Sequence, residues 1–384
     1  MAKSVAVSIR ELVAFLPNPK PYEKDLTQRL VGEHRLLRQV GDQSIEMKIE
    51  IDSLRLLPEG SGLVQYAIAR NLLDTEHGGT AAFFDCGRTT VISYIVDMNG
   101  SKPQIAWASR SAPEYGLELL LGMIQSELKR SSPFMQAISG RDPKLALLNK
   151  GICDGTFEYG NTGFNFESIY QRCAKPWLKN FKDQADTNWR QSKQGWLDDL
   201  NQLVFGGGAA PIANVWAEDQ ELNEDGWIKV LPESQIANVL GAVGSGGNGL
   251  VYAVDPGSST VKIAVNNGLE TKVTKIASVH LDLPADYEIL PGEINSESCA
   301  INYLEGCCEP FRVVVGSSAP QMSKMAKETI DDDKGAIAHK LILASIAPPE
   351  GLRSATPPEL EPVIAVPNPE FQTNGRPRRS RAKV

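Results

Sequence analysis

Ile45, Met47, Ile49 and Ile51 alternate with polar residues over a clean period of two. That pattern predicts a half-buried strand, which continues through Leu54 to Leu57 until Pro58-Glu59-Gly60 turns the chain. Residues 5–16 alternate more loosely and read as a strand stopped by Pro17-Asn18-Pro19, whereas the polar stretch 22–43 is helical at best. From Gly62 to Leu73 the apolar positions recur at helical spacing, and His77-Gly78-Gly79 supplies a stop. Thr80 to Phe84 and Val91 to Val96 are apolar runs separated by Asp85-Cys86-Gly87-Arg88-Thr89-Thr90, a strand–turn–strand hairpin. Helical patterns follow over 115–128 and within 165–200, and Gln202-Leu203-Val204-Phe205 is a strand that breaks into Gly206-Gly207-Gly208-Ala209. Three glycines after a buried strand imply that backbone approaches something closely. After the flexible stretch 244–249, Leu250–Val254 and Val261–Val265 repeat the hairpin layout around Asp255-Pro256-Gly257-Ser258-Ser259-Thr260. Residues 333–346 read as a helix, and 347–384 lose all apolar periodicity and read as disordered.

With 384 residues and 42% hydrophobic content, the chain can bury one large or two medium cores without a disulfide or metal staple. A net charge of −8 argues against a body that coats nucleic acid. The basic exception is terminal: Arg376, Arg378, Arg379, Arg381 and Lys383, solvated by default but suited to contact with DNA, an acidic partner or a filament. Cys86, Cys153, Cys173, Cys299, Cys307 and Cys308 show no zinc spacing, so a reducing cytoplasm is the simplest setting. His34, His77, His280 and His339 are scattered, and the tryptophans between 177 and 216 read as packing residues. No targeting or membrane-spanning segment is expected.

A turn of the form Asp-x-Gly-Ser/Thr-Ser/Thr can do two jobs: its glycine lets successive N–H groups close around phosphate oxygens, and its carboxylate faces a hydrated cation. Alone, Asp255-Pro256-Gly257 is an ordinary turn. Paired with Asp85-Cys86-Gly87, and joined by a strand ending in Gly-Gly-Gly-Ala, it points to a polyphosphate site.

Together, Asp255 to Lys262, Asp85 to Thr90 and Val204 to Ala209 resemble the phosphate 1, phosphate 2 and adenosine motifs of the actin, heat-shock chaperone and sugar-kinase superfamily. The likeness is greatest to plasmid-segregation actins of the ParM/StbA type. Leu56-Leu57-Pro58-Glu59-Gly60 matches the segment that precedes phosphate 2 there, and Ile236-Ala237-Asn238-Val239-Leu240-Gly241 matches a last strand of the form Ala-Asn-x-x-Gly. In that family phosphate 1 opens the fold, whereas here it comes last. The resemblance therefore implies an actin-like ATPase fold, α/β, with two ribonuclease-H-like lobes around a nucleotide cleft and a circularly permuted chain. Its parts would be 1–79, first part of lobe I; 80–228, lobe II; 229–249, last strand and glycine-rich linker; 250–346, second part of lobe I; and 347–384, tail. At ~3.3–3.6 Å per residue the linker could bridge about 20 Å.

The same resemblance implies site roles. Gly257, Ser258, Ser259 and Thr260 with Lys262 would hold the β- and γ-phosphates, and Gly87, Arg88, Thr89 and Thr90 would close on the γ-phosphate from the other lobe. Asp255 and Asp85 would hold Mg²⁺, Gly206, Gly207, Gly208 and Ala209 would pass under the ribose and α-phosphate, and Glu59 would position the attacking water. Arg88 stands where glycine is common, and Ile92 where an acidic residue is often found. The implied activity is ATP or GTP hydrolysis coupled to filament assembly, for DNA segregation through an adaptor or another cytoskeletal role. A small-molecule kinase of sugar type and a non-hydrolysing nucleotide-binding scaffold are the alternatives.

Overall fold

The computed structural model describes residues 3–74, 76, 78–100, 102–192, 194–219, 223, 226–244, 249–284, 286–290, 292–323, 325–328 and 334–347. The expected tail beyond Ala347, most of the linker and His77 lie outside them. β1 (Lys3–Ile9) and β2 (Glu11–Leu16) are followed by α1 (Glu23–Leu30), β3 (Gly32–Val40), β4 (Gln43–Ile51), β5 (Leu54–Pro58) and α2 (Ser61–Ala69). Next come β6 (Thr80–Cys86), β7 (Val91–Asp97), β8 (Gln104–Ser111) and the helices α3 (Leu117–Lys129), α4 (Ser132–Ala137), α5 (Leu145–Cys153) and α6 (Glu167–Gln191). β9 (Leu200–Gly206), α7 (Asn214–Ala217), β10 (Ile228–Val230) and α8 (Ala237–Val243) complete this part. The C-terminal part contains β11 (Val251–Pro256), β12 (Thr260–Asn266), β13 (Thr271–Ala277), β14 (Val279–Leu283), β15 (Ser298–Gly306), β16 (Phe311–Gly316), α9 (Ala319–Met322), β17 (Lys327–Glu328) and α10 (Lys334–Ser345).

Two five-stranded sheets share one plan. In the first, β6, β7 and β8 form an antiparallel meander, and β9 and β10 add in parallel on the far side of β6. In the second, β11, β12 and β13 form the meander, and β2 and β5 add in parallel beside β11. The difference lies in chain order: the meander precedes its parallel strands in one sheet and follows them in the other. Both outer parallel strands lead through Leu-Pro-Glu into a helix, Leu57-Pro58-Glu59 before α2 and Leu231-Pro232-Glu233 before α8.

A separate seven-stranded sheet, β1-β4-β3-β15-β16-β14-β17, shares an apolar core with the second of these sheets. The strand expected over 45–57 is two strands in different sheets, because β4 pairs with β1 whereas β5 pairs with β2. Its phase already changes in the sequence, where apolar positions 45, 47, 49 and 51 give way to 54 and 56. A one-residue shift reverses which face is apolar, and the chain breaks at Asp52-Ser53 to accommodate it. Residues 5–16 divide at Arg10 for the same purpose, and the Ser53 hydroxyl donates to the Arg10 carbonyl across the break at 2.7 Å. The C-terminal hairpin thus shares its sheet with residues 11–16 and 54–58, not with 3–9 or 43–51. Only part of 22–43 is helical; Gly32–Val40 is a strand between β4 and β15, with His34 and Leu36 buried. Ala237–Val243, matched above to a last strand, is a helix.

Buried side chains explain the layering. α1 and α10 share one core with β1, β2, β4, β11, β12, β15 and β16. The opposite face of β2, β11 and β12 packs on α8 through Val13, Phe15, Ala253 and Ala264. α2 covers one face of β6, β7 and β9 through Leu63, Val64 and Ala67, and α3 and α6 cover the other, where Trp177, Trp189 and Phe181 lie against Phe84 and Phe205. The tryptophans at 177, 189 and 216 are core residues, as expected. Among the described residues no helix is long and apolar enough to cross a membrane.

The two five-stranded sheets meet through α2 and α8, whose backbones touch: a Cβ on Gly241 would overlap the Gly62 carbonyl and lie 2.7 Å from the Tyr66 nitrogen. Gly241→Ala is therefore expected to lower the urea midpoint at unchanged m-value by about 1–3 kcal/mol of stability, the range of an overpacked contact.

Candidate functional site

The turns after β6 and β11 are built alike. A Cβ on Gly87 would lie 2.9 Å from the Thr90 carbonyl oxygen, and a Cβ on Gly257 would lie 2.9 Å from that of Thr260. Neither glycine has a positive φ, so space rather than backbone conformation excludes a side chain. The carbonyls of Gly87, Arg88 and Thr89 accept from the N–H groups of Leu117, Glu118 and Gly116 at 3.0–3.1 Å, which ties the turn to the start of α3. Arg88 donates from Nε to Glu118 Oε1 at 2.7 Å, so its guanidinium is engaged along α3. Ile92 is buried in the core beside Phe83 and Tyr94.

Asp255 closes β11 and is 5% exposed, a costly place for a carboxylate without partners. Asn238 Nδ2 donates to its Oδ2 at 3.3 Å, and Lys262 Nζ lies 3.4 Å from the same oxygen. Asn238 also accepts the Gly62 N–H on Oδ1 at 2.9 Å, linking Asp255 to the first turn of α2. Burial works against the Lys262 charge, but Asp255, Asp85 and Glu59 outweigh it and its pKa is raised. One ammonium therefore sits within electrostatic reach of carboxylates from β11, from β6 and from the turn after β5.

The backbone around these groups is close-packed. Gly207 has φ 87°, and a Cβ there would collide with Asp85 Oδ1 and lie 2.7 Å from the Cys86 nitrogen, so only glycine can follow β9 past Asp85. Gly207 donates to the Ser234 carbonyl at 3.0 Å and Ala209 to that of Cys86 at 2.9 Å, while Gly206 is packed on Leu63 and Gly208 faces open space. The Glu59 N–H donates to Leu16 in its own sheet, and the buried Tyr94 hydroxyl donates to the Gly60 carbonyl from the other. Of the two Leu-Pro-Glu segments, one puts its carboxylate within electrostatic reach of the cluster. Glu59 acts on Lys262, whereas Glu233 accepts from the Tyr66 hydroxyl at 2.9 Å and pairs with Arg70 at 3.2 Å.

The structure thus brings together Glu59, Asp85, Asp255, Lys262 and the Gly206–Gly208 strand end. Ser258, Ser259, Thr260, Thr89 and Thr90 belong to the two flanking turns. Among the described residues no group of three or more His, Cys, Asp or Glu could enclose a metal. Two aspartates fit a cation that keeps most of its hydration shell, as Mg²⁺ does, and not one that needs a full protein cage. The histidines at 34, 280 and 339 are buried elsewhere, and all six cysteines are free. Sequence reasoning missed Asn238 as a partner of Asp255, and missed Tyr94, Gln235 and Lys275, which fall outside the two hairpin turns and the glycine strand end that drew attention. The only available signal was register, since Lys262 and Lys275 become neighbours once β12 and β13 are paired.

No family model matches the chain, and no curated protein matches it. Solved structures do. Ta0583, an archaeal actin homolog in complex with ADP, is 14% identical with a TM-score of 0.47, covering 61% of this chain and 70% of that one. A ParM from a 15-stranded filament of Clostridium botulinum is 14% identical with a TM-score of 0.45, covering 60% and 64%. The actin-like protein Alp7A is 17% identical with a TM-score of 0.47, covering 62% and 66%. The chain is similar to these actin-like proteins, as its motifs led one to expect.

Asn238→Leu keeps the side-chain volume but removes the donor to Asp255 and the acceptor for Gly62. Because a buried unsatisfied group costs about 1–3 kcal/mol, a loss of about that size is expected in chemical denaturation.

Proposed function

We propose that the chain binds Mg-ATP or Mg-GTP between its two five-stranded sheets and hydrolyses it, one lobe being assembled from residues 1–79 and 250–346 and the other from 80–228. What carries the proposal is the convergence of Glu59, Asp85 and Asp255 on Lys262 between two hairpin turns of the same build. Such turns offer backbone N–H groups to phosphate oxygens from two sides, and a buried cation between them is suited to the charge that phosphoryl transfer spreads over those oxygens. Gly257, Ser258, Ser259 and Thr260 would hold one face of the polyphosphate and Gly87, Arg88, Thr89 and Thr90 the other, Arg88 through its backbone because its guanidinium is held by Glu118. Gly206, Gly207, Gly208 and Ala209 would run beneath the ribose and α-phosphate, where Gly208 meets no atom.

Asp85 and Asp255 would hold the water shell of Mg²⁺, which when bound neutralises phosphate charge. Glu59 would orient a water toward the terminal phosphate, its turn being fixed from both sheets by Leu16 and Tyr94. Since the two sheets have one plan and differ in whether the meander comes first, a circular permutation that moved the opening hairpin to residue 250 accounts for the chain order. Termini moved to exposed loops leave the contacts that stabilise a fold in place. Nucleotide-driven closure of the lobes would then drive self-association into filaments in the cytoplasm, with a DNA-binding adaptor and the basic tail as further contacts.

Titration with Mg-ATP and Mg-GTP, followed by phosphate release, tests the chemistry. Asp85→Ala and Asp255→Ala are expected to weaken Mg-nucleotide binding at least about tenfold, and Glu59→Gln to leave binding while lowering turnover by roughly 10²–10⁴. An Asp85→Ala protein that binds and hydrolyses like its parent would overturn the assignment. Electron microscopy with and without nucleotide tests assembly separately.

A further inference from the structure

Asp255, Lys262 and Lys275 form one row across three neighbouring strands, because Asp255 is paired with Lys262 and Lys262 with Lys275. Two residues along, Ala253, Ala264 and Val273 form the parallel row that packs on α8. The charged row therefore lies on the same face, beyond the apolar contact, beside the residues that start α8. Opposite residues on antiparallel strands have Cβ atoms about 4.5–5.5 Å apart, and like charges so placed repel. Lys262 has its compensation in Asp255, Asp85 and Glu59. Lys275 does not: it is half-buried, its ammonium donates to the neutral Gln235 Oε1 at 2.6 Å, and among the described residues it enters no ion pair. Burial and the Lys262 charge together push its pKa down. Gln235 follows Ser234, whose carbonyl accepts from the Gly207 N–H, so Lys275 is anchored to the segment that is hydrogen-bonded to the glycine strand end beside Asp85.

A repelled, half-buried cation held by an amide alone is destabilising in the empty protein and becomes favourable when an anion arrives. We propose that Lys275 is a second phosphate-binding cation, which leaves Gln235 to share the terminal phosphates of the bound nucleotide with Lys262. The proposal rests on the nucleotide site described above and adds to it a ligand group from β13.

Lys275→Gln and Lys275→Arg are to be compared with the parent by titration with Mg-ATP and with inorganic tripolyphosphate, and by thermal unfolding of the empty proteins. Lys275→Gln is expected to weaken both ligands roughly tenfold or more, the scale of a charged hydrogen bond, while raising the Tm of the empty protein, and Lys275→Arg to restore binding. Unchanged binding of both ligands by Lys275→Gln would overturn the role of Lys275 and leave the nucleotide site standing. Weaker binding with a lowered Tm would make Lys275 a structural residue and equally overturn it. A parent that binds tripolyphosphate through Lys275 but not Mg-ATP would uphold the lysine and refute the nucleotide, and a parent that binds neither would refute both.

Discussion

Backbone contact between α2 and α8 sets the distance between the two five-stranded sheets, since each helix packs on a different sheet and both lack side chains where they cross, at Gly62 and Gly241. At that separation the turn after β5 reaches the β6–β7 hairpin, and Asp85 comes within electrostatic reach of Lys262 on β12. A larger residue at the crossing would wedge the sheets apart and dissolve the charge cluster before altering any of its members. The site is thus a consequence of helix packing as much as of its own side chains.

Gathering three carboxylates around one ammonium in a partly dry place is not a route to stability. Desolvation of buried charges offsets much of their attraction, and well-packed apolar residues often serve a fold as well or better. Asn238 satisfies Asp255 from one side and anchors α2 from the other, so the carboxylate is held in place rather than merely neutralised. A preorganised group of this kind gains its value when a ligand brings charge of its own, because the protein then needs little rearrangement to meet it. The contrast between Glu59 and Glu233 illustrates the point. Both end a strand with Leu-Pro-Glu, yet Glu233 is consumed by Tyr66 and Arg70 while Glu59 acts electrostatically on Lys262.

Much of this was legible in residue order. The hairpins at Asp85 and Asp255, the strand into Gly206–Gly208 and the helices over 61–69, 117–129 and 334–345 follow from local period and turn chemistry, which depend on neighbours in sequence. The steric reason for Gly87 and Gly257 is equally local, since each meets the carbonyl three residues on. Where the pattern over 22–43 or the resemblance over 236–241 misled, the cause was a partner from far along the chain. Gly32–Val40 is a strand because β4 and β15 flank it, and Ala237–Val243 is a helix because one side of it covers a sheet and the other meets α2.

By itself, then, the sequence determined the hairpins, the glycine turns and the identity of the acidic residues, because short-range sterics and periodicity act within a few residues of each. Only the tertiary structure decided that Asp85, Asp255 and Glu59 share one ammonium, that Glu233 does not, and that Lys275 stands beside Lys262. Those facts depend on strand register and on the approach of two helices, and both are set by packing between segments that the order of residues does not place side by side.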